Sequence, residues 1–219
     1  MERFLESLSG SYLDLLLEGL RVTMYMAVLG YLLAFVTGNL LAAARVSPVP
    51  VLKKAAGVYV SVFRNTPLIV LAFLVWYGGG RAGWPFGRLT TAGIVLGLYT
   101  GAYIAETLRS GINAVPPGQA EAARAIGLPF RGVVSLVVLP QAIRTVIPPL
   151  GNLWIANLKN SSVFLVIGID ELTRAGRRIG NDLADYSSAF LVVAAIYLVL
   201  VYGSAQLIKL IERRVEVAR

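Results

Sequence analysis

The chain has 219 residues, of which 57% are hydrophobic and 15% charged, and it contains neither histidine nor cysteine. A soluble domain averages about 45–50% apolar and about 25% charged residues, so this composition is that of a membrane protein. The two missing residue types exclude disulfides, thiol chemistry, most zinc sites and the usual general base.

Five apolar stretches are long enough to cross a hydrocarbon core of about 30 Å at about 1.5 Å per residue. The second contains a cation and a proline within FRNTP, and the fourth follows an interfacial segment and a break at Pro148 and Pro149. The sequence therefore predicts a single all-α membrane domain, residues 1–219, with five transmembrane helices. The predicted spans are about 20–44, 55–77, 89–110, 147–169 and 186–210.

The net charge of +8 is unevenly distributed between the two ends of these spans. One set of segments carries eleven cations and three acids: 45–54, 109–146 and 209–219. The segments at the opposite ends of the spans carry seven cations and eight acids. Because Lys and Arg concentrate in cytoplasmic loops, the first set is predicted to be cytoplasmic. This places the N-terminus outside and the C-terminus inside, and no nucleic acid is needed to explain the charge.

Within the long inside loop, the sequence PPGQAEAARAIGLPF at 116–130 has the signals of a short helix. Two prolines precede it, alanine fills several positions, Gly127 suits the position after a helix end, and Pro129 prevents continuation. A helix of about two turns is unstable alone in water, so it must dock on something. From spacing alone, an interfacial connector between two spans remains open.

The sequence EAARAIG, followed by LP at 139–140, resembles the EAA signature of ABC-importer permeases. More narrowly, ordered blocks resemble the polar amino acid permeases of the histidine, glutamate, glutamine, arginine and opine type. These blocks, which extend from the second span to the fourth, are FRNTPLIV, YIAETLRSGI, PPGQAEAARAIG, LPQAIRTVIPPLGN and LKNSSV.

The resemblance implies a type I ABC-importer transmembrane fold and the permease subunit of an ATP-driven amino acid importer in a bacterial or archaeal cell membrane. Its implied partners are two ATPase subunits, a second permease subunit, identical or paralogous, and an extracytoplasmic binding protein docking on loops 78–89 and 170–187. The short helix is then a coupling helix that contacts the ATPase. The residues implied in that contact are Glu121, Ala122, Ala123, Arg124 and Gly127.

Ionisable residues at membrane depth are costly, so Arg64 and Glu106 are site candidates. Arg64 precedes Pro67, and a broken helix there would present a guanidinium fork to a carboxylate. The alternative is an arginine that reaches the cytoplasmic face. Glu106 suits a substrate amine or a gate pair with Arg64, or else a plain i,i+3 pair with Arg109.

The sequence LKNSSV places four consecutive polar residues, 159–162, inside a predicted span, where they line a cavity or pack at a subunit interface. By resemblance this segment and the first span contribute to the substrate pocket. Many relatives have an aspartate where Asn160 stands, so Asn160 favours neutral or acidic substrates. The complete set of predicted substrate-binding residues is Thr23, Arg64, Thr66, Glu106, Lys159, Asn160, Ser161 and Ser162.

No G-x-x-x-x-G-K-[ST] run occurs, so ATP must be hydrolysed by another chain. The chain itself is not expected to be an enzyme or to hold a cofactor. ATP and magnesium would be bound by the partner ATPase. Two other functions remain open. One is a stand-alone channel or secondary carrier for small polar solutes, although the sequence has no convincing internal repeat, and the other is a membrane-embedded enzyme relying on Glu106.

Overall fold

The computed structural model describes residues 10–216, and within that range the chain is helical without any strand. The all-α prediction is therefore confirmed. Arg3 and Arg219, which enter the charge distribution above, lie outside the described residues. The α-helices are α1 (Gly10–Val46), α2 (Pro50–Asn65), α3 (Leu68–Phe73), α4 (Gly79–Arg81), α5 (Arg88–Asn113), α6 (Pro117–Ala125), α7 (Phe130–Gly132), α8 (Leu139–Asn160), α9 (Leu172–Asp182) and α10 (Tyr186–Glu216).

Three further helical segments have a different winding. Leu74–Gly78 and Val133–Val138 are π-helical, and they join α3 to α4 and α7 to α8. Ser161–Ile167 is a 3₁₀ helix that continues α8 and ends at Gly168, whose φ is +85°. Glycine accepts this left-handed conformation without steric cost, so the chain can turn there into α9.

The predicted interruption of the second apolar stretch is confirmed. Thr66 is extended, with φ −104° and ψ 128°, as expected for the residue before a proline. Pro67 has no N–H with which to continue the helix. The segments Pro50–Asn65 and Leu68–Arg81 are consequently bent by 104°.

The predicted break at Pro148 and Pro149 is wrong, because α8 continues through both prolines from Leu139 to Asn160. Two tertiary contacts hold the helix at this point. The Tyr31 hydroxyl donates a 2.8 Å hydrogen bond to the Leu150 carbonyl, and Gly151 lies directly against the Ile208 side chain of α10. Such neighbours make proline tolerable in membrane helices, and they are invisible in the local sequence.

Among the described residues, three helical runs are long and apolar enough to cross a membrane: Gly10–Val46, Phe130–Ile167 and Tyr186–Arg214. The bent pair Pro50–Asn65 and Leu68–Arg81 raises this to four if it counts as one span. The predicted span 89–110 lies in α5, which is outside this set. Glycine, threonine and two charged residues lower the mean hydropathy of this segment. The count of five spans therefore stays a prediction.

The core forms where α1 packs along α5 through small residues. Gly38 of α1 lies so close to α5 that a Cβ at this position would be 2.7 Å from the Ile104 Cβ. Met26, Leu96 and Phe164 are each at most 1% exposed and belong to one apolar cluster. This packing brings the C-terminal ends of α1 and α5 together with α2.

Candidate functional site

The carboxylate of Glu106 in α5 is shared by three arginines from three helices. Its Oε2 lies 3.0 Å from Arg45 Nη1 of α1 and 3.9 Å from Arg64 Nη1 near the end of α2. Its Oε1 accepts hydrogen bonds from Arg109, one turn further along α5. The structure therefore contains both the predicted Glu106–Arg109 pair and the predicted proximity of Glu106 to Arg64.

This cluster carries a surplus of positive charge, since one carboxylate faces three guanidinium groups. All four side chains are partly exposed, from 21% for Arg45 to 41% for Arg64, so solvent screens their repulsion. Arg64 also lies over the Tyr103 ring, 5.4 Å from its centroid, and the Tyr103 hydroxyl donates to the Arg64 carbonyl. These contacts fix the guanidinium of Arg64 beside the break at Pro67.

A cavity of about 400 Å³ opens on this cluster, within the size range of small-molecule sites. Guanidinium groups bind carboxylates through two parallel hydrogen bonds, and a carboxylate such as Glu106 accepts from an ammonium group. The cavity can therefore hold a small molecule with both charges. Its lining residues are Arg45, Gly57, Val60, Ser61, Arg64, Asn65, Tyr103 and Glu106.

The predicted polar patch at 159–162 lies at the junction of α8 and the 3₁₀ helix. Lys159 is exposed and Asn160 half-buried, whereas Ser161 is fully buried. The hydroxyls of Ser161 and Ser162 donate to the carbonyls of Leu158 and Lys159 in their own helix, and Thr66 likewise donates to Val62. Within the patch 159–162, the side chains of Lys159 and Asn160 make no hydrogen bond or ion pair with other described residues, unlike those of Ser161 and Ser162.

Thr23 lies in a buried polar network that joins α1, α9 and α10. Its side chain is 0% exposed, and its Oγ1 accepts a 3.1 Å hydrogen bond from the Leu172 N–H. Next to it, Glu171 caps α9 by accepting from the N–H groups of Thr173 and Arg174, each at 2.8 Å. Burial raises the pKa of the Glu171 carboxyl although these hydrogen bonds oppose the shift.

The structure thus brings Arg64 and Glu106 together and encloses Thr23 and Ser161 within helix packing. Their roles in substrate binding stay predictions. The sequence analysis did not identify Arg45 as a site residue. It used Arg45 only in the charge balance that predicts membrane orientation, although Arg45 lies in the last turn of a long apolar helix. It also missed Asn157, which is fully buried between α1 and α5 and bonds the Ala27 carbonyl and the Thr100 hydroxyl.

The predicted short helix forms as α6, Pro117–Ala125. Gly127 has φ +87°, and its N–H donates to the Arg124 carbonyl, which closes the helix as expected for a glycine after a helix end. Of the residues expected to face a partner, Ala123 is only 5% exposed and packs inside the chain. Those that are exposed are Glu121, Ala122, Arg124 and Gly127.

Two large apolar side chains just after α6 are highly exposed. Ile126 is 81% exposed and Phe130 is 80% exposed, and both flank Gly127. Exposed apolar groups rimmed by polar residues mark interaction sites. With Glu121, Ala122 and Arg124, they form what we call the α6 surface.

Residues 28–217 match the model of a protein family described as binding-protein-dependent transport system inner membrane component. Among curated relatives, the glutamate transport system permease protein GluC of Corynebacterium efficiens is 37% identical over 198 residues, covering 84% of this chain and 85% of the relative. The glutamine transport system permease protein GlnP of Escherichia coli K12 is 34% identical over 212 residues, or 94% of each chain.

A solved structure with a similar fold is the crystal structure of an amino acid ABC transporter with histidines. One of its chains superimposes with a TM-score of 0.90 at 34% identity, covering 96% of this chain and 98% of that one. The likeness extends over nearly the whole described fold.

Proposed function

Since the chain belongs to the family of binding-protein-dependent transport system inner membrane components, we propose that it forms the amino acid pathway of an ATP-driven importer. The single observation that carries this proposal is its likeness, over most of its length, to permease subunits of amino acid importers. A channel or secondary carrier acting alone is not favoured by any of these relatives.

We propose that the cavity at Glu106 is where an amino acid passes. Arg64 and Arg45 offer guanidinium forks to the α-carboxylate, and Glu106 offers an acceptor to the α-ammonium group. The Glu106–Arg64 distance of 3.9 Å is long for a direct hydrogen bond, so a substrate can replace this contact at small cost. This dipolar arrangement suits the part that all amino acids share.

Selection among side chains is assigned to the patch at 159–162. Lys159 and Asn160 carry no acidic group, so the patch favours neutral or acidic side chains over cationic ones. The named relatives for glutamate and glutamine agree with this preference. The exchange Asn160→Asp is expected to shift uptake towards cationic amino acids.

The α6 surface is proposed to dock on a separate ATPase subunit, which binds ATP and magnesium. Two ATPase subunits would serve two permease subunits, and a binding protein would dock on loops 78–89 and 170–187 at the other end. Because α5 is 26 residues long, about 39 Å at about 1.5 Å per residue, its two ends can lie on opposite sides of the bilayer. The charge distribution favours the α6 end as cytoplasmic, with the N-terminus outside and the C-terminus inside, in a prokaryotic cell membrane.

Reconstitution tests the importer proposal directly. The full chain is placed in liposomes with and without the ATPase and binding protein that copurify from native membranes, and uptake of labelled glutamine and glutamate is followed. Uptake is expected only with all components and ATP. Uptake by the chain alone would overturn the importer and establish a channel or carrier.

Docking is tested separately with two exposed phenylalanines, Phe130 at the start of α7 and Phe86 just before α5. Phe130→Ser is expected to lower ATPase copurification at least about tenfold, since a buried interface phenylalanine contributes about 1.5–3 kcal/mol. Phe86→Ser, also at an exposed phenylalanine, serves as the matched control and should leave copurification unchanged. Equal copurification with both variants would remove the α6 surface from the proposal.

A further inference from the structure

A second cavity, of about 470 Å³, lies beside the Glu106 cluster at the converging ends of α1, α2 and α5. It shares Arg45 and Gly57 with the first cavity but opens on different groups. Three of its lining side chains are cationic and none is acidic. The lining consists of Arg45, Val46, Lys53, Gly57, Arg109, Ile112 and Asn113.

The positive charge of this cavity is poorly compensated. Arg45 and Arg109 both depend on the carboxylate of Glu106, which Arg64 also approaches. Lys53 is exposed and forms no ion pair with any acid in residues 10–214. One carboxylate therefore serves three guanidinium groups, and Lys53 adds a further positive charge to the cavity that Arg45 and Arg109 line. An anion entering this cavity would relieve the repulsion among its cations.

The position of the cavity indicates where that anion comes from. Arg45 lies in the last turn of an apolar helix of membrane-spanning length, and Lys53 lies in the first turn of the next helix. Residues at such helix ends lie at the depth of the lipid headgroups. The same two helices expose large apolar side chains elsewhere, including Val36, Leu40 and Val58, as expected of helices that contact hydrocarbon.

We propose that this cavity binds the phosphate group of an anionic phospholipid between Arg45, Lys53 and Arg109. The arginines supply forked donors for phosphate oxygens, and the lysine adds a compact charge at the rim. Basic pockets between helices at this depth suit anionic headgroups. Because Arg45 and Arg109 also hold Glu106, lipid bound there contacts the wall of the substrate cavity.

The test measures lipid retention, which does not depend on transport. The full chain is purified in detergent, titrated with phosphatidylglycerol or phosphatidylcholine, and bound lipid is counted by native mass spectrometry. Lys53→Gln is the main variant, because Lys53 lines this cavity and not the substrate cavity. Lys54→Gln is the matched control, since it removes the same charge from the neighbouring exposed position.

Lys53→Gln is expected to weaken phosphatidylglycerol binding about fivefold. Lys54→Gln should change the affinity for phosphatidylglycerol by less than about twofold. Phosphatidylcholine should bind weakly to the wild type and to both variants. Equal weakening by both variants would reduce the effect to general surface charge and overturn the proposal. A third arm adds inorganic phosphate at 10-fold excess over lipid. Displacement of the lipid by free phosphate, with the same dependence on Lys53, would overturn the lipid as the ligand and leave a soluble phosphate in its place.

Discussion

Glu106 is the carboxylate that Arg45, Arg64 and Arg109 share, so its neutralisation isolates three cations at once. Glu106→Gln is expected to destabilise the chain by about 1–2 kcal/mol, because each partly exposed ion pair contributes at most about 1 kcal/mol. Amino acid uptake should fall at least about tenfold, since the proposed acceptor for the substrate ammonium group is lost. Thermal unfolding in detergent and uptake in liposomes measure the two effects.

Glu18→Gln is a matched control for this change, because Glu18 is exposed and has no ion pair among the described residues. It should alter neither the melting temperature nor uptake. A Glu106→Gln protein that transports at the normal rate would show that the carboxylate has only a packing role.

Glu171 makes the stability of the chain depend on pH in an unusual direction. Its pKa is raised by burial from an ordinary value of 4.5, so the folded chain holds this proton more tightly than the unfolded chain does. Its contribution to stability is therefore greatest below pH 4.5 and is lost as the pH rises through the raised value. Glu171→Gln should remove this loss, so the difference in melting temperature between wild type and variant should change with pH over that window. A difference in melting temperature that stays constant with pH would contradict the raised pKa of Glu171.

At the scale of helices, Gly19 fixes the distance between α1 and α9. A Cβ at Gly19 would lie 2.9 Å from the Leu172 Cα, and this backbone atom cannot rotate away. Gly19→Ala is expected to cost about 1–3 kcal/mol through overpacking. Gly203→Ala in α10 meets no atom within 4 Å and should instead stabilise the chain by about 0.8–1 kcal/mol through helix propensity.

Melting temperatures of the two alanine variants in one detergent provide the comparison. Opposite signs are expected, and a Gly19→Ala protein as stable as Gly203→Ala would mean that α9 can shift without cost.

The elements that sequence predicted correctly are those with local causes. The closure of α6 by Gly127, just beyond its last residue, and the break before Pro67 each follow from the backbone chemistry of one residue. The passage of α8 through Pro148 and Pro149 depends on Tyr31 and α10, which are remote in sequence, and was predicted wrongly. The Arg45–Glu106 contact was missed for the same reason, since it requires the packing of α1 on α5.

At the scale of the whole molecule, charge accumulates where α1, α2 and α5 converge. The two cavities there share Arg45, and the α6 surface follows directly after the end of α5. Substrate, lipid and ATPase would therefore meet at one end of the molecule. If α6 docks on an ATPase as proposed, its movement would reach Glu106 through the last two turns of α5.

This arrangement requires α5 to cross the membrane, although its composition alone does not mark it as a span. The chain contains no cysteine, so single cysteines can be introduced at exposed positions and labelled with a maleimide that does not cross membranes. Ala82→Cys and Asp182→Cys should be labelled in intact cells, and Gly118→Cys only after permeabilisation, because 82 and 118 lie at opposite ends of α5. Labelling of Ala82→Cys and Gly118→Cys from the same side would show that α5 does not span the bilayer, and the five-span prediction would then be wrong. Labelling of Gly118→Cys in intact cells would overturn the cytoplasmic position of the α6 surface.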